Sequence, residues 1–278
     1  MNDTNNMVIV ITGGAGGIGM ACAKALKQYK LVITDYGQEA VNKAVKELKT
    51  AKINAIGFAC DITDKTAVNR LKVFTGEQGH FKGIVHTAGV SGTIGNPEKV
   101  FNINLIGTDI IVNAFYDLAQ NGSAVVLFSS MVGHTIPPNP KYDESLRNPQ
   151  SANAFKNTAS FVGDSADTMY NFVKRGVLLL CKDNAMRFGQ KGARIVSVSP
   201  GIIMTPMAQK AAEEHPERMK QMEKMTPAGR NGKSEDIADV VKFLVSEDAR
   251  FITGTDILID GGILTQLMNP ENQKLLAG

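Results

Sequence analysis

The sequence predicts an α/β fold, a doubly wound parallel sheet of about seven strands with helices on both faces. Short apolar runs rich in Val and Ile show little polar alternation, which is how strands buried on both faces read. They fall at Met7–Thr12, Leu31–Asp35, Asn54–Ala59, Gly83–His86, Ala124–Phe128, Arg194–Val198 and Asp256–Ile259. Helical patterns fill the intervals, as in Ala21–Gln28, Glu39–Lys49, Asp64–Phe74 and Asp236–Val245. Strands separated by helices imply βαβ units with right-handed crossovers. A glycine-rich turn directly after the first strand completes the pattern.

Length and composition set the outer bounds. By length alone 278 residues admit two domains, but no linker parts the chain, and one domain over 1–278 is expected. Net charge is +3, from 30 basic and 27 acidic residues spread along the chain, which gives no electrostatic case for nucleic acid or an anionic membrane. Cys22, Cys60 and Cys181 lack metal-ligand spacing and read as buried thiols of a reducing compartment, so no metal is expected. No stretch reaches the ~18 apolar residues of a membrane span. The N-terminus lacks the pattern of a signal peptide, and a cytoplasmic location is the expectation.

One segment breaks the rhythm. From His134 to about Asp167 the chain holds Pro137, Pro138, Pro140 and Pro149 with several Asn and Ser, and lacks a clear strand or long helix. This is far longer than a typical βα loop. It reads as an insertion, at about 134–167, packed over the carboxyl edge of the sheet or at a subunit surface.

The first strand runs into Thr12-Gly13-Gly14-Ala15-Gly16-Gly17-Ile18-Gly19. A strand, a glycine turn and a helix start make an anion site, because unpaired helix N–H groups and the helix dipole favour a pyrophosphate. Gly13, Gly17 and Gly19 are the key positions, and Gly19 alternatively serves close helix–sheet packing. The spacing differs from the Gly-x-Gly-x-x-Gly fingerprint and lacks the Gly-Lys-Ser/Thr ending of an ATP loop. Asp35 ends the second strand, where a carboxylate accepts from ribose hydroxyls and repels a 2′-phosphate. With Tyr36 next and no basic residue in the turn, NAD(H) is expected over NADP(H). The alternative for Asp35 is a helix N-cap. Asp61 and Ile62 follow the third strand, where Asp61 suits the adenine amine or a cap of the next helix, and Ile62 the adenine ring.

Tyr170 and Lys174 are four apart in a strongly helical stretch and share a face. A free phenol, with a pKa of about 10, is a poor base at neutral pH. A neighbouring ammonium favours phenolate and would make a tuned acid/base.

Together and in this order, the motifs resemble the classical short-chain dehydrogenase/reductase family, from Val8 to Gly262. The Thr12–Gly19 turn looks like that family's cofactor motif. His86-Thr87-Ala88-Gly89 looks like its Asn-Asn-Ala-Gly motif with the first two positions changed. Asn104 matches its helix asparagine, Ser129-Ser130 its strand-end serines, and Tyr170 with Lys174 its catalytic pair. Pro200-Gly201 and Thr205 match its nicotinamide-side loop, and Asp260-Gly261-Gly262 its C-terminal turn. Ser130 and Tyr170 stand 40 residues apart, farther than the family usually has them, and the insertion accounts for the excess. Some bacterial hydroxysteroid dehydrogenases of this family are similar in carrying an insertion there.

The resemblance implies a Rossmann-type fold and an NAD(H)-dependent oxidoreductase that interconverts a secondary alcohol and a ketone. Tyr170 is then the acid/base, Ser130 orients the substrate oxygen, Lys174 lowers the Tyr170 pKa and holds the nicotinamide ribose, and Asn104 holds a water in a proton path. Cofactor contacts are expected from the turn (Gly13, Gly14, Gly16, Gly17, Ile18, Gly19), from Asp35, Tyr36, Asp61 and Ile62, and from Ala88 and Gly89. Tyr170, Lys174, Pro200, Gly201, Ile203 and Thr205 complete that set. His86 is expected to be a neutral core histidine or, less simply, a tuner of the site. Ser130, Met131, Tyr170, Ile202 and Met207 are the substrate-side candidates, with a substrate loop at about 202–226 whose methionines suit an apolar substrate or plain helix packing. Phe155, Phe161 and Ile136 are candidates for added apolar surface, and Met268 for reaching a neighbouring active site or subunit. The partner is a small alcohol or ketone, with steroid or bile acid the favoured guess and a small hydroxy compound or sugar derivative the alternative. A homodimer or homotetramer is expected. The competing classes are a noncatalytic dinucleotide-binding regulator and an isomerase or dehydratase on the same fold.

Overall fold

The computed structural model describes residues 6–205, 208 and 216–272. Seven strands form one all-parallel sheet in the order β3-β2-β1-β4-β5-β6-β7. They are β1 (Met7–Thr12), β2 (Lys30–Asp35), β3 (Ala55–Ala59), β4 (His80–His86), β5 (Ala124–Phe128), β6 (Arg194–Pro200) and β7 (Asp256–Ile259). The pleat sends alternate residues to opposite faces. Val8 and Val10 of β1 therefore enter one apolar cluster while Ile9 and Ile11 enter another. Val125 and Leu127 of β5 split in the same way from Val126 and Phe128. Both faces are buried, which is why the strands carry Val and Ile at successive positions.

Helices α1 (Gly17–Ala25), α2 (Gln38–Thr50) and α3 (Lys65–Glu77) link the first four strands. Val41, Ala44 and Leu48 give α2 its buried stripe. The next crossover runs through α4 (Pro97–Phe101), a π-helical turn at Asn102–Ile106 and α5 (Gly107–Tyr116). The strand order reverses between β1 and β4, so the crevice beyond their carboxyl ends is the switch point where open α/β sheets bind ligands.

Several boundaries differ from the sequence expectation, three of them informatively. Helix α1 starts at Gly17, because the glycine turn already forms its first turn. Strand β4 starts at His80, which pairs with Met7. Strand β6 runs to Pro200, which pairs with Ile259.

The region after Thr135 contains two short helices, α6 (Pro140–Arg147) and α7 (Ala154–Val162), before the long α8 (Ala166–Gln190). Asn139 caps α6 by accepting from Lys141 N–H at 3.0 Å. Both helices lie against α8, with α7 also meeting α4, so this part of the segment covers the helix layer. The Tyr142 ring sits edge-on to Phe161 and Phe172, at 5.3 and 4.9 Å between centroids. Arg175 of α8 grips Asp143 through two bonds of 2.7 and 2.6 Å. The last crossover, from β6 to β7, includes α9 (Pro216–Met225) and α10 (Ser234–Val245), and α11 (Ile263–Leu267) follows β7.

Candidate active site

Gly13 has φ +64°, and a Cβ there would fall 2.7 Å from Ala88 N. A Cβ at Gly19 would fall 2.3 Å from Gly13 O. The turn is therefore closed against β4 on one side and against α1 on the other, and only glycine fits at either point. Gly16 precedes α1 without a side-chain cap, and α1 carries no acidic residue in its first turn. Its first N–H groups are thus available to an anion at the crevice, as a pyrophosphate requires. Gly14, Gly17 and Ile18 complete the same turn.

Asp35 closes the crevice at the end of β2. Its carboxylate accepts from Ala15 N at 3.2 Å and from Tyr36 N at 2.8 Å. Gly37 takes the N-cap position of α2, so Asp35 does not cap that helix. Asp61 accepts from the backbone and hydroxyl of Thr63 at 2.8 and 2.7 Å, while Asp64 caps α3. Ile62 is buried and meets α5 at Gly107. Tyr36 stands exposed.

On the other side of the switch point, Asn104 lies in the π turn, a distortion that recurs at functional sites. Its side chain accepts from Val90 N and donates to Val90 O, both at 2.8 Å. It thereby holds the strand extension Ala88-Gly89-Val90 against α5. His86 is buried, and burial together with the Lys174 charge pushes it down to about 3, so it is neutral.

Ser130 begins the turn after β5, and α8 brings Tyr170 to it. The two side chains, 40 positions apart in sequence, come close enough to interact. Burial raises the Tyr170 phenol above its ordinary value, and the bond with Ser130 opposes that rise. Lys174 is buried one turn below, where its Nζ donates to Phe128 O at 2.9 Å and lies 5.4 Å from the Tyr170 ring centroid. Burial brings the ammonium down to about 8. Burial by itself thus favours the protonated phenol. Ser129 locks the same corner by donating to Lys174 O at 2.8 Å.

Comparison with known proteins agrees with this geometry. Residues 7–142 match the profile of the short chain dehydrogenase family, and residues 154–264 that of enoyl-(acyl carrier protein) reductase. A 7alpha-hydroxysteroid dehydrogenase from Bacteroides fragilis is 33% identical, the match covering 95% of this chain and 96% of that protein. The chain belongs to the short-chain dehydrogenase/reductase family. A cyclohexanol dehydrogenase from an Acinetobacter species is also 33% identical, over 94% of this chain and 96% of its own. Among solved structures, levodione reductase superposes with a TM-score of 0.75 at 26% identity, covering 94% of this chain and 98% of its own. This chain is accordingly an enzyme, a dinucleotide-dependent oxidoreductase.

The carboxyl-terminal half of the dehydrogenase completes the crevice. Gly201 N donates to Ile259 O at 2.9 Å, Ile203 bridges Gly232, and the Thr205 hydroxyl accepts from Ala208 N at 3.2 Å. Pro200 and Ile202 flank Gly201, and Met131 follows Ser130. Met207 lies outside the described residues, as does the middle of the proposed substrate loop. Phe155 meets Phe101 edge-on, as Phe161 meets Tyr142, so both aromatics brace the insertion. Thr12 and Thr108 were not singled out in the sequence, yet both hydroxyls bond His86. Thr108 follows Asn104 by one helical turn, and that spacing was the available signal. No helix among the described residues is long and apolar enough to cross a membrane.

Proposed function

We propose that this dehydrogenase uses NAD(H) to interconvert a ring-borne secondary alcohol and its ketone, with Tyr170 as the acid/base. The observation that carries the reading is one corner of the fold: Lys174, buried on α8, sets its Nζ 5.4 Å from the Tyr170 ring centroid and donates to Phe128 O at the end of β5, and Ser130 begins the turn just beyond. When bound, the nicotinamide supplies or accepts the hydride.

The residues would divide the remaining work. The Ser130 hydroxyl orients the substrate oxygen and stabilises charge developing on it. In reduction Tyr170 gives its proton to the carbonyl oxygen, and in oxidation it takes the hydroxyl proton. The positive charge of Lys174 favours the phenolate formed in reduction. Asn104 holds the Ala88–Val90 segment in place next to that pair. Gly13 through Gly19 would receive the pyrophosphate, and Asp35 the adenosine ribose hydroxyls. A 2′-phosphate on that ribose would face the Asp35 carboxylate, which favours NAD(H) over NADP(H). The named relatives that act on hydroxysteroids and cyclohexanol both oxidise an alcohol on a ring, and this supports a cyclic substrate, with hydroxysteroids first.

The test is a spectrophotometric screen of purified protein for NADH formation or consumption on cyclic alcohols and ketones, steroids and bile acids included. Turnover with NAD(H) is expected, and Tyr170→Phe should lower kcat roughly 10²–10⁴-fold while NADH binding stays within about 3-fold. Undiminished turnover in that variant would remove Tyr170 from the role. Dinucleotide binding without turnover on any of these compounds would favour a noncatalytic role.

A further inference from the structure

We propose that His86 is a positioning residue: held as its neutral Nε2–H tautomer between the hydroxyls of Thr12 and Thr108, it sets the spacing between the cofactor turn and the Asn104 turn. The proposal rests on the reading of the site given above.

Thr12 and His86 are partners in register on β1 and β4, the two strands that flank the switch point. Their side chains share a face at the carboxyl ends of those strands. The direction of each hydrogen bond follows from counting protons. A hydroxyl has one proton to give. Thr108 donates its own to Asn104 O at 2.7 Å, so toward His86 Nε2, 3.0 Å away, it acts as acceptor. Nε2 therefore carries the hydrogen. Nδ1 is bare and accepts from Thr12 Oγ1 at 2.7 Å, while Thr12 Oγ1 itself accepts from Ala88 N at 3.3 Å. One proton order satisfies all four contacts, and it has a neutral ring.

The resulting chain runs Ala88 N–H to Thr12, Thr12 to His86, His86 to Thr108, and Thr108 to Asn104 O. Asn104 closes it by holding both backbone groups of Val90, two residues beyond Ala88. The ring so formed encloses the segment beside Lys174 along which a dinucleotide would pass. It ends on backbone groups at both sides and so serves to position, without carrying a proton to solvent. An apolar residue at 86 would leave two buried hydroxyls short of a partner and let β4 shift against α5.

Two measurements on the full protein test this. In ¹⁵N-resolved imidazole spectra, one of the four histidines should keep a protonated Nε2 and a bare Nδ1 from pH 8 down to 5, and its signals should vanish in His86→Gln. A signal assigned to His86 that titrates near its ordinary value, or that shows Nδ1–H, overturns the proposal. For NADH binding, His86→Leu should raise Kd roughly 10-fold, and His86→Gln, which offers one acceptor and one donor, should recover most of that loss. Unchanged binding in folded His86→Leu overturns the proposal. Should His86→Leu not fold, Thr108→Val carries the same arm with an expected loss of about 3- to 10-fold, and unchanged binding there is equally fatal. If the unaltered protein binds neither NADH nor NADPH, the reading of the site as a cofactor crevice fails, while the spectra still decide the tautomer.

Discussion

Tyr170 and Asp35 carry the two finest claims about this enzyme. For Tyr170 the opposing influences are now visible: burial holds the phenolic proton on, and the bond with Ser130 opposes it. The Lys174 ammonium lies 5.4 Å from the ring centroid and is engaged with Phe128 O. Asp35 stands where β2 ends, tied to Ala15 N at 3.2 Å, so its charge borders the glycine turn directly. Replacing it by Ala removes both an acceptor for ribose hydroxyls and a repulsive charge. Asp35→Ala should raise the Kd of NAD about 10-fold, as loss of hydrogen bonds to a charged group does, and narrow the preference over NADP. Paired titrations with the two dinucleotides check this, and an unchanged ratio of affinities would show that Asp35 does not discriminate.

At the scale of the element, the segment between Ser130 and Tyr170 is the point of interest. Its helices α6 and α7 bury Tyr142, Leu146, Ala154 and Val162. The Asp143–Arg175 pair adds two short bonds, and Arg175 also donates to Ile136 O at 3.2 Å. Arg175 is the neighbour of Lys174, so the pair braces the helix that carries the proposed acid/base, Tyr170. The side chains of both members are only 11% and 14% exposed, so removing one leaves a poorly solvated charge behind. Asp143→Ala should therefore destabilise the protein by about 3 kcal/mol, within the range for broken buried pairs. Denaturant unfolding measures it, and a change below ~1 kcal/mol would mean that the pair is as weak as a surface bridge.

For the whole molecule, the buried imidazole makes stability depend on pH. His86 moves from an ordinary 6.5 to about 3 on folding, with desolvation first and the Lys174 charge second. Its other near neighbours, Thr12 from β1 and Thr108 from α5, carry no charge. Between those two values the unfolded chain binds a proton that the folded protein refuses, so stability rises with pH across that window. His86 should thus weaken the fold progressively as pH falls below about 6.5 toward 3. Unfolding free energies of the unaltered protein and His86→Gln, compared from pH 7 to 4, should differ in slope with the variant the flatter. Parallel curves would contradict the burial of an uncharged ring.

The sequence by itself determined the parallel sheet, since two-sided burial writes itself as unbroken apolar residues in β1 and β5. It also placed the glycine turn, because α1 must begin where the chain turns back on β1. Tyr170 and Lys174 were legible as a pair because helix spacing is local. Tertiary structure alone decided what the pair meets: Ser130 arrives from 40 residues away, and the desolvation that governs the phenol depends on everything packed around it. The same holds for α6 and α7. Their few apolar residues among prolines give too weak a periodicity to read as helices, and packing, above all against α8, supplies the surface that makes them form. His86, Thr12 and Thr108 lie far apart in sequence, and sheet register and the crossover bring their side chains together. Local pattern encodes which elements form, whereas contact across the sheet encodes which proton goes where.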